Sequence, residues 1–218
     1  MQEYGPVMRR HRSLSLALIA AAALVLGACG DDADEPDDDA SPPVTEPSDE
    51  APVEGAVEVA MVDSEGTDVG TVTLIPEGGA TRVEADVDGL EPGFHGFHIH
   101  DVGICESDAP DGPFTTATGH YVGEGGTHGD HDGDMPSLFV NADGSASLSA
   151  TLDAFTVEEL TAGDGAAVMI HVGPDNFANV PDRYTSAETD APGPDDMTNS
   201  TGDAGARAAC GVVEAAGA

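Results

Sequence analysis

From Ala56 onward the chain alternates apolar and polar residues in short runs, each closed by turn formers, and this pattern limits the fold more than any other feature. Ala56-Val57-Glu58-Val59-Ala60-Met61-Val62, Gly70-Thr71-Val72-Thr73-Leu74-Ile75 and Arg82-Val83-Glu84-Ala85-Asp86-Val87 all have period two, the signature of strands with one buried face. Asp63-Ser64-Glu65-Gly66, Pro76-Glu77-Gly78-Gly79 and Asp88-Gly89 separate them. Further runs at Phe94–His100, Leu138–Val140, Ala146–Leu152, Ala166–Val172 and Cys210–Val213 bring the expected count to eight. Eight short strands with turns between them predict an all-β, antiparallel sandwich or flattened barrel. With only nine aromatic residues and no Trp, its core must be built from Val, Leu, Ile and Ala. Thr156-Val157-Glu158-Glu159 is a capping-box pattern and predicts one short helical turn before Gly163. Two connections, residues 101–136 and 173–207, are long enough to be read as functional loops.

The residues ahead of this domain read as an address and a spacer. Arg9-Arg10-His11-Arg12 is a positive n-region, and Leu14–Leu26 is an apolar run of 13 residues, too short to span a bilayer. Residues 1–28 are therefore read as an export signal, with either Met1 or Met8 as the start of translation. Leu26-Gly27-Ala28-Cys29 resembles the bacterial lipobox, which implies lipidation of Cys29 and an anchor on the outer face of the cell membrane. Residues 29–55 hold eleven acids, five prolines and no basic residue, too polar to offset the entropy of ordering, and are expected to form a disordered tether. The domain proper is taken as residues 56–218.

Charge removes whole classes of function. All six basic residues are arginines, and from Cys29 onward three arginines face 41 acids. Phosphate contacts require a basic face, so no nucleic-acid partner is expected. The same charge forbids docking onto anionic lipid, which leaves the Cys29 anchor as the only membrane contact.

The histidines carry the chemistry. Seven of the eight lie between positions 95 and 171. His98-Ile99-His100 puts two imidazoles on one face of a strand. His120, His128, His131 and Asp134 follow in a glycine-rich loop, and His171 ends the apolar run Val168-Met169-Ile170. Six imidazoles and a carboxylate with no thiolate suit borderline metals such as copper or zinc. The alternating Asp130, Asp132 and Asp134 do not form a calcium loop, because Met135 and Asn141 occupy the positions of its glycine and its bidentate glutamate.

Five stretches, in consistent order, resemble the copper/zinc superoxide dismutase family. They are His95-Gly96-Phe97-His98-Ile99-His100, Gly119-His120 with His128, His131-Asp132-Gly133-Asp134, Met169-Ile170-His171-Val172, and Gly202-Asp203-Ala204-Gly205-Ala206-Arg207-Ala208-Ala209-Cys210-Gly211. The resemblance spans residues 55 to 213 and implies a Greek-key arrangement of the strands. It implies copper held by His98, His100, His120 and His171, and zinc by His120, His128, His131 and Asp134, with His120 bridging. It implies an Asp175 carboxylate linking the two ligand sets, a disulfide between Cys105 and Cys210, and an active-site Arg207 that attracts superoxide. His95 is expected to be a buried hydrogen-bonding residue. Arg183 is read either as support for the anion path or as a partner of nearby acids.

The implied reaction is dismutation of superoxide to dioxygen and hydrogen peroxide, with copper alternating between Cu(II) and Cu(I) and His120 carrying a proton. The alternative is a dismutase-like lipoprotein that binds or buffers copper without turnover, although storage alone would need neither a bridging His120 nor Arg207. Two features depart from many family members: His128 and His131 are closely spaced, and the loop before Arg207 contains no lysine. The resemblance leaves the oligomeric state open, a homodimer included.

Overall fold

The structure is a computed structural model that describes residues 53–123 and 126–215; the export signal, Cys29 and the tether up to residue 52 lie outside the described residues. Among the described residues nine strands form: β1 (Val57–Asp63), β2 (Asp68–Glu77), β3 (Ala80–Val87), β4 (Gly93–His95), β5 (Phe97–His100), β6 (Leu138–Val140), β7 (Ala146–Leu152), β8 (Ala166–His171) and β9 (Arg207–Val213). Seven of them make one curled antiparallel sheet in the order β5-β8-β9-β1-β2-β3-β7, and β4 pairs with β6 in a second, two-stranded sheet. Alternation becomes burial as expected. In β1, Val57, Val59 and Met61 are buried while Glu58 and Ala60 are exposed, and in β3 Thr81, Val83, Ala85 and Val87 point inward.

One expected strand is two. The run Phe94–His100 divides at Gly96, where β4 leaves for β6 and β5 joins β8. The cause is close packing. The Gly96 N–H donates to Gly173 O at 2.8 Å, and a Cβ at this position would lie 2.6 Å from Ala204 Cβ. β9 also begins at Arg207, ahead of the expected Cys210, because Arg207 pairs with His171 across an irregular step in the β8–β9 ladder.

β5 and β8 are buried on both faces, and this creates the site. Phe97, Ile99, Val168 and Ile170 face the main core, while Ala167, Met169 and Cys210 face outward under a second cluster with Phe114 and Ala117. The residues alternating with Phe97 and Ile99 are His98 and His100, so these imidazoles lie beneath the long loops. The Cys105–Cys210 disulfide, with Cα atoms 5.7 Å apart, ties the first loop to β9. A link closing about 100 residues contributes on the order of 4–5 kcal/mol in the chain-entropy model. The predicted helical turn is α1 (Val157–Leu160), with the Thr156–Glu159 capping box formed. A second short helix, α2 (Thr198–Thr201), was not expected from the sequence.

Replacing Gly96 with Ala should overpack the junction. The expected cost is about 1–3 kcal/mol, or roughly 3–10 °C in Tm for a domain of this size, together with loss of bound metal. Calorimetry and metal analysis check this; an unchanged Tm would mean that the junction relaxes freely.

Candidate metal centre

His98 and His100 from β5 and His171 from the end of β8 share the outer face of the sheet, and His120 arrives from the first long loop through a bridge to His100. All four are buried, and each offers a nitrogen within 4.8 Å of the others'. Fixed partners decide which nitrogen each ring offers. His100 Nδ1 lies 2.9 Å from Thr118 O, and His171 Nδ1 lies 3.0 Å from Gly205 O. Carbonyl oxygens only accept, so both rings carry their proton on Nδ1 and present a bare Nε2. Those two Nε2 atoms face each other at 3.4 Å. Facing lone pairs repel unless a cation lies between them. His98 commits Nε2 to Asp175 at 2.6 Å, while its Nδ1 and the Nε2 of His120 are buried without a hydrogen-bond partner among the described residues. Four convergent imidazole nitrogens therefore fit a borderline metal such as copper.

The other side of His120 forms a second set. His120 Nδ1 lies 2.9 Å from Asp134 Oδ1, and His128 Nδ1 lies 3.0 Å from the same oxygen. His98 also offers an atom within the 4.8 Å reach of His120, His128 and Asp134. Its Nε2 is already bound to Asp175, however, and its Nδ1 belongs with the first set. His131 is the better fourth member: its buried Nδ1 has no hydrogen-bond partner among the described residues and sits 3.6 Å from Asp134 Oδ1. Three imidazoles and one carboxylate suit zinc. His120 thus presents one nitrogen to each group.

Asp175 joins the halves. Its Oδ2 meets His98 Nε2, and its Oδ1 accepts from His128 Nε2 and the Phe177 N–H, both at 2.7 Å. His95 stands apart, buried, with Nδ1 2.6 Å from His171 O and Nε2 2.7 Å from Glu91 O. It braces the backbone of His171 and offers no free nitrogen.

The first set opens into a cleft of about 430 Å3 lined by His100, His120, His171 and Arg207 on one part and by Met197, Thr201 and Asp203 on another. The Arg207 guanidinium donates to Phe114 O and Thr118 O. Both carbonyls belong to non-glycine residues with left-handed backbone, φ 61° at Phe114 and at Thr118, flanking a 3-10 turn at Thr115–Ala117. Sequence reasoning missed these two anchors, because a carbonyl donates no recognisable side chain to a motif. Arg183 lies over the Tyr184 ring at 4.9 Å in the second long loop, and the pairing with acids considered for it is not among the ion pairs of the described residues.

The family model for copper/zinc superoxide dismutase matches residues 69–213. The chain belongs to the copper/zinc superoxide dismutase family. Its relatives in this family include the Cu-Zn superoxide dismutase of Mycolicibacterium paratuberculosis, 48% identical over 69% of this chain and 70% of that protein. The Cu-Zn superoxide dismutase of Mycobacterium tuberculosis is 40% identical over 92% of each. Among solved structures, the Cu/Zn superoxide dismutase of Brucella abortus aligns with a TM-score of 0.53, with 30% identity over 73% of this chain and 99% of that one. A mutant SOD-like protein from Bacillus subtilis aligns at 0.58, with 26% identity over 72% and 97%.

Burial and charge set the protonation of this dismutase-family centre. Burial pushes His98 down to about 4 and His171 to about 3, and holds His100 well below the ordinary 6.5. Burial also opposes charge on His128, but Asp134 and Asp175 overcome it and lift the group to about 9. Despite their own burial, both carboxylates stay well below the usual range through hydrogen bonds to histidine. In metal-stripped protein the three depressed histidines resist protons that the unfolded chain accepts below pH 6.5. Stability present above that pH is lost as pH falls toward 4. The His128 contribution has the opposite sign: it is full below 6.5 and is lost as pH rises through 9. Thermal melts of the stripped protein between pH 4 and pH 9.5 should therefore peak near neutrality and fall on both sides. A Tm that rises continuously toward acid would contradict these protonation states.

Proposed function

We propose that this protein is an exported superoxide dismutase, lipid-anchored through Cys29, converting two superoxide anions and two protons to dioxygen and hydrogen peroxide. The observation that carries the reading is His120, whose two ring nitrogens belong to two different donor sets with Arg207 in the adjoining cleft. Copper would be held by His98, His100, His120 and His171, and zinc by His120, His128, His131 and Asp134. Copper supplies one-electron oxidation and reduction when bound, and zinc supplies fixed charge and rigidity.

The chain's own residues do the rest. Arg207 offers charge-assisted hydrogen bonds to an anion entering the cleft, and its two carbonyl anchors keep the guanidinium from swinging away. His120 Nε2 is the buried atom at which a proton can be held and then passed to the reduced product. Neutral Nε2 atoms on His100 and His171 leave those rings ready as donors at pH 7. Asp175 keeps His98 and His128 in the tautomers that both donor sets require. A protein that only stored copper would need the imidazoles but not Arg207.

Two variants test the assignment. His171→Ala should lose copper and reduce dismutation to background. His131→Ala should lose zinc first, lower Tm and retain part of the rate. Metal content and dismutation measured on the same preparations decide it: full copper and full rate in both would overturn the ligand assignment. Copper binding in the wild type without dismutation would favour the storage reading.

The export reading rests on the charged n-region, the short apolar run and the lipobox, and the intramolecular disulfide suits an oxidising compartment. Cys29→Ala should move active enzyme from the membrane fraction to the soluble fraction, since an acidic tether has no affinity of its own for anionic lipid. Retention of that variant in washed membranes counts against the anchor.

A further inference from the structure

Asp203 places an acid in a cleft that must receive an anion. It lines the same 430 Å3 space as Arg207 and the copper-side imidazoles, and it is exposed. Its backbone is left-handed at φ 54°, a conformation that a non-glycine residue adopts only when its surroundings hold it. They do hold it. One carboxylate oxygen, Oδ2, accepts both from Asn176 Nδ2 at 2.6 Å and from Thr198 Oγ1 at 2.8 Å, and the Asp203 N–H donates to Thr201 Oγ1 at 3.2 Å. Both side-chain donors are neutral, and Asp203 takes part in none of the ion pairs of the described residues. An asparagine amide oxygen could accept the same two hydrogen bonds. The carboxylate therefore adds to the architecture only its charge.

We propose that Asp203 is a specificity-determining residue, a fixed negative charge in the cleft wall that handicaps anions of higher charge more than a small monoanion in reaching Arg207. The inference rests on the dismutase reading for its monoanion. A space of this volume is on the order of 9 Å across, and a unit charge at that distance in water-like surroundings weakens a monoanion by about twofold. The penalty scales with ligand charge, so a dianion is weakened about fourfold to fivefold. Arg207 alone would instead favour the dianion, and oxyanions of higher charge would compete with superoxide for the guanidinium.

The surrounding charge makes this separable from a structural role. From Ala56 onward three arginines face 30 acids, so the domain repels superoxide at long range. The screening length is roughly 30 Å at 0.01 M salt and 10 Å at 0.1 M, so added salt removes distant repulsion before it touches the cleft. For the wild type, kcat/KM should stay flat or rise between those two concentrations.

The test uses metal-loaded wild type, Asp203→Asn, which keeps both hydrogen bonds, and Asp203→Glu, which keeps the charge. Pulse radiolysis should give Asp203→Asn about twice the wild-type kcat/KM at 0.01 M salt, with the gain shrinking at 0.1 M. Equilibrium dialysis without turnover should show sulfate affinity rising about fourfold in Asp203→Asn and nitrate affinity about twofold, while Asp203→Glu keeps the wild-type sulfate-to-nitrate ratio. An unchanged ratio in Asp203→Asn, or an equal gain for both anions, overturns the proposal. Because dialysis involves no turnover, it judges Asp203 even if the wild type fails to dismutate superoxide, and that failure would sink the dismutase reading alone.

Discussion

One buried carboxylate decides how the two donor sets face each other. Asp175 has a side chain 1% exposed and bonds His98 Nε2 with one oxygen and His128 Nε2 with the other. A carboxylate out of water is costly unless its lone pairs are satisfied, and here the Phe177 N–H adds a third partner. The consequence reaches both sides. With Nε2 committed on each ring, only Nδ1 is left to His98 and to His128, and the direction in which each Nδ1 points is set before any metal arrives. Close cover is part of the device: at Gly202 a Cβ would lie 2.0 Å from Asp175 Oδ1 and 2.2 Å from His128 Nε2. Only a bare backbone can cover the pair, and its left-handed φ of 58° suits glycine as well.

A second chain of dependence runs from the disulfide to the cleft. Cys105 packs against the cluster of Phe114, Ala117, Met169 and Cys210, so the bond to Cys210 pins the first loop where Phe114 is fully buried. Burial of that ring fixes the backbone beside it, and the left-handed residues Phe114 and Thr118 turn their carbonyls toward Arg207. Thr118 O also receives His100 Nδ1. One carbonyl therefore sets the position of the Arg207 guanidinium and the tautomer of the His100 imidazole. Strain at two backbone positions is repaid in orientation, and such strain concentrates at functional sites.

What could be read beforehand follows from what leaves a mark on side-chain identity. The alternation in β1 and β3 revealed strands because one face had to be apolar, and His98-Ile99-His100 revealed two convergent imidazoles because period two puts both on the opposite face from Ile99. Asp175 and the Cys105–Cys210 pairing were legible only through resemblance, since a lone aspartate and two distant cysteines carry no spacing rule. The break at Gly96 stayed hidden because its cause, Ala204, lies more than a hundred residues away. The carbonyls of Phe114 and Thr118 were illegible for a different reason. Every residue has a carbonyl, and only tertiary packing decides where it points.

The acidity of the domain and the anionic character of its substrate look opposed, but they act at different distances. A net negative surface works over a screening length of several ångströms to tens of ångströms, depending on salt. A guanidinium half-buried beside the site acts within a few ångströms, where water is scarce and hydrogen-bond geometry counts as much as charge. Burial lowers the Arg207 pKa from its ordinary value, a direction with no effect on its ionisation near neutrality. Solubility and mutual repulsion can therefore be set by the exposed acids without removing the local attraction. What the fold must protect is the short-range part: one arginine, held by two carbonyls, in a cleft whose inner wall is imidazole.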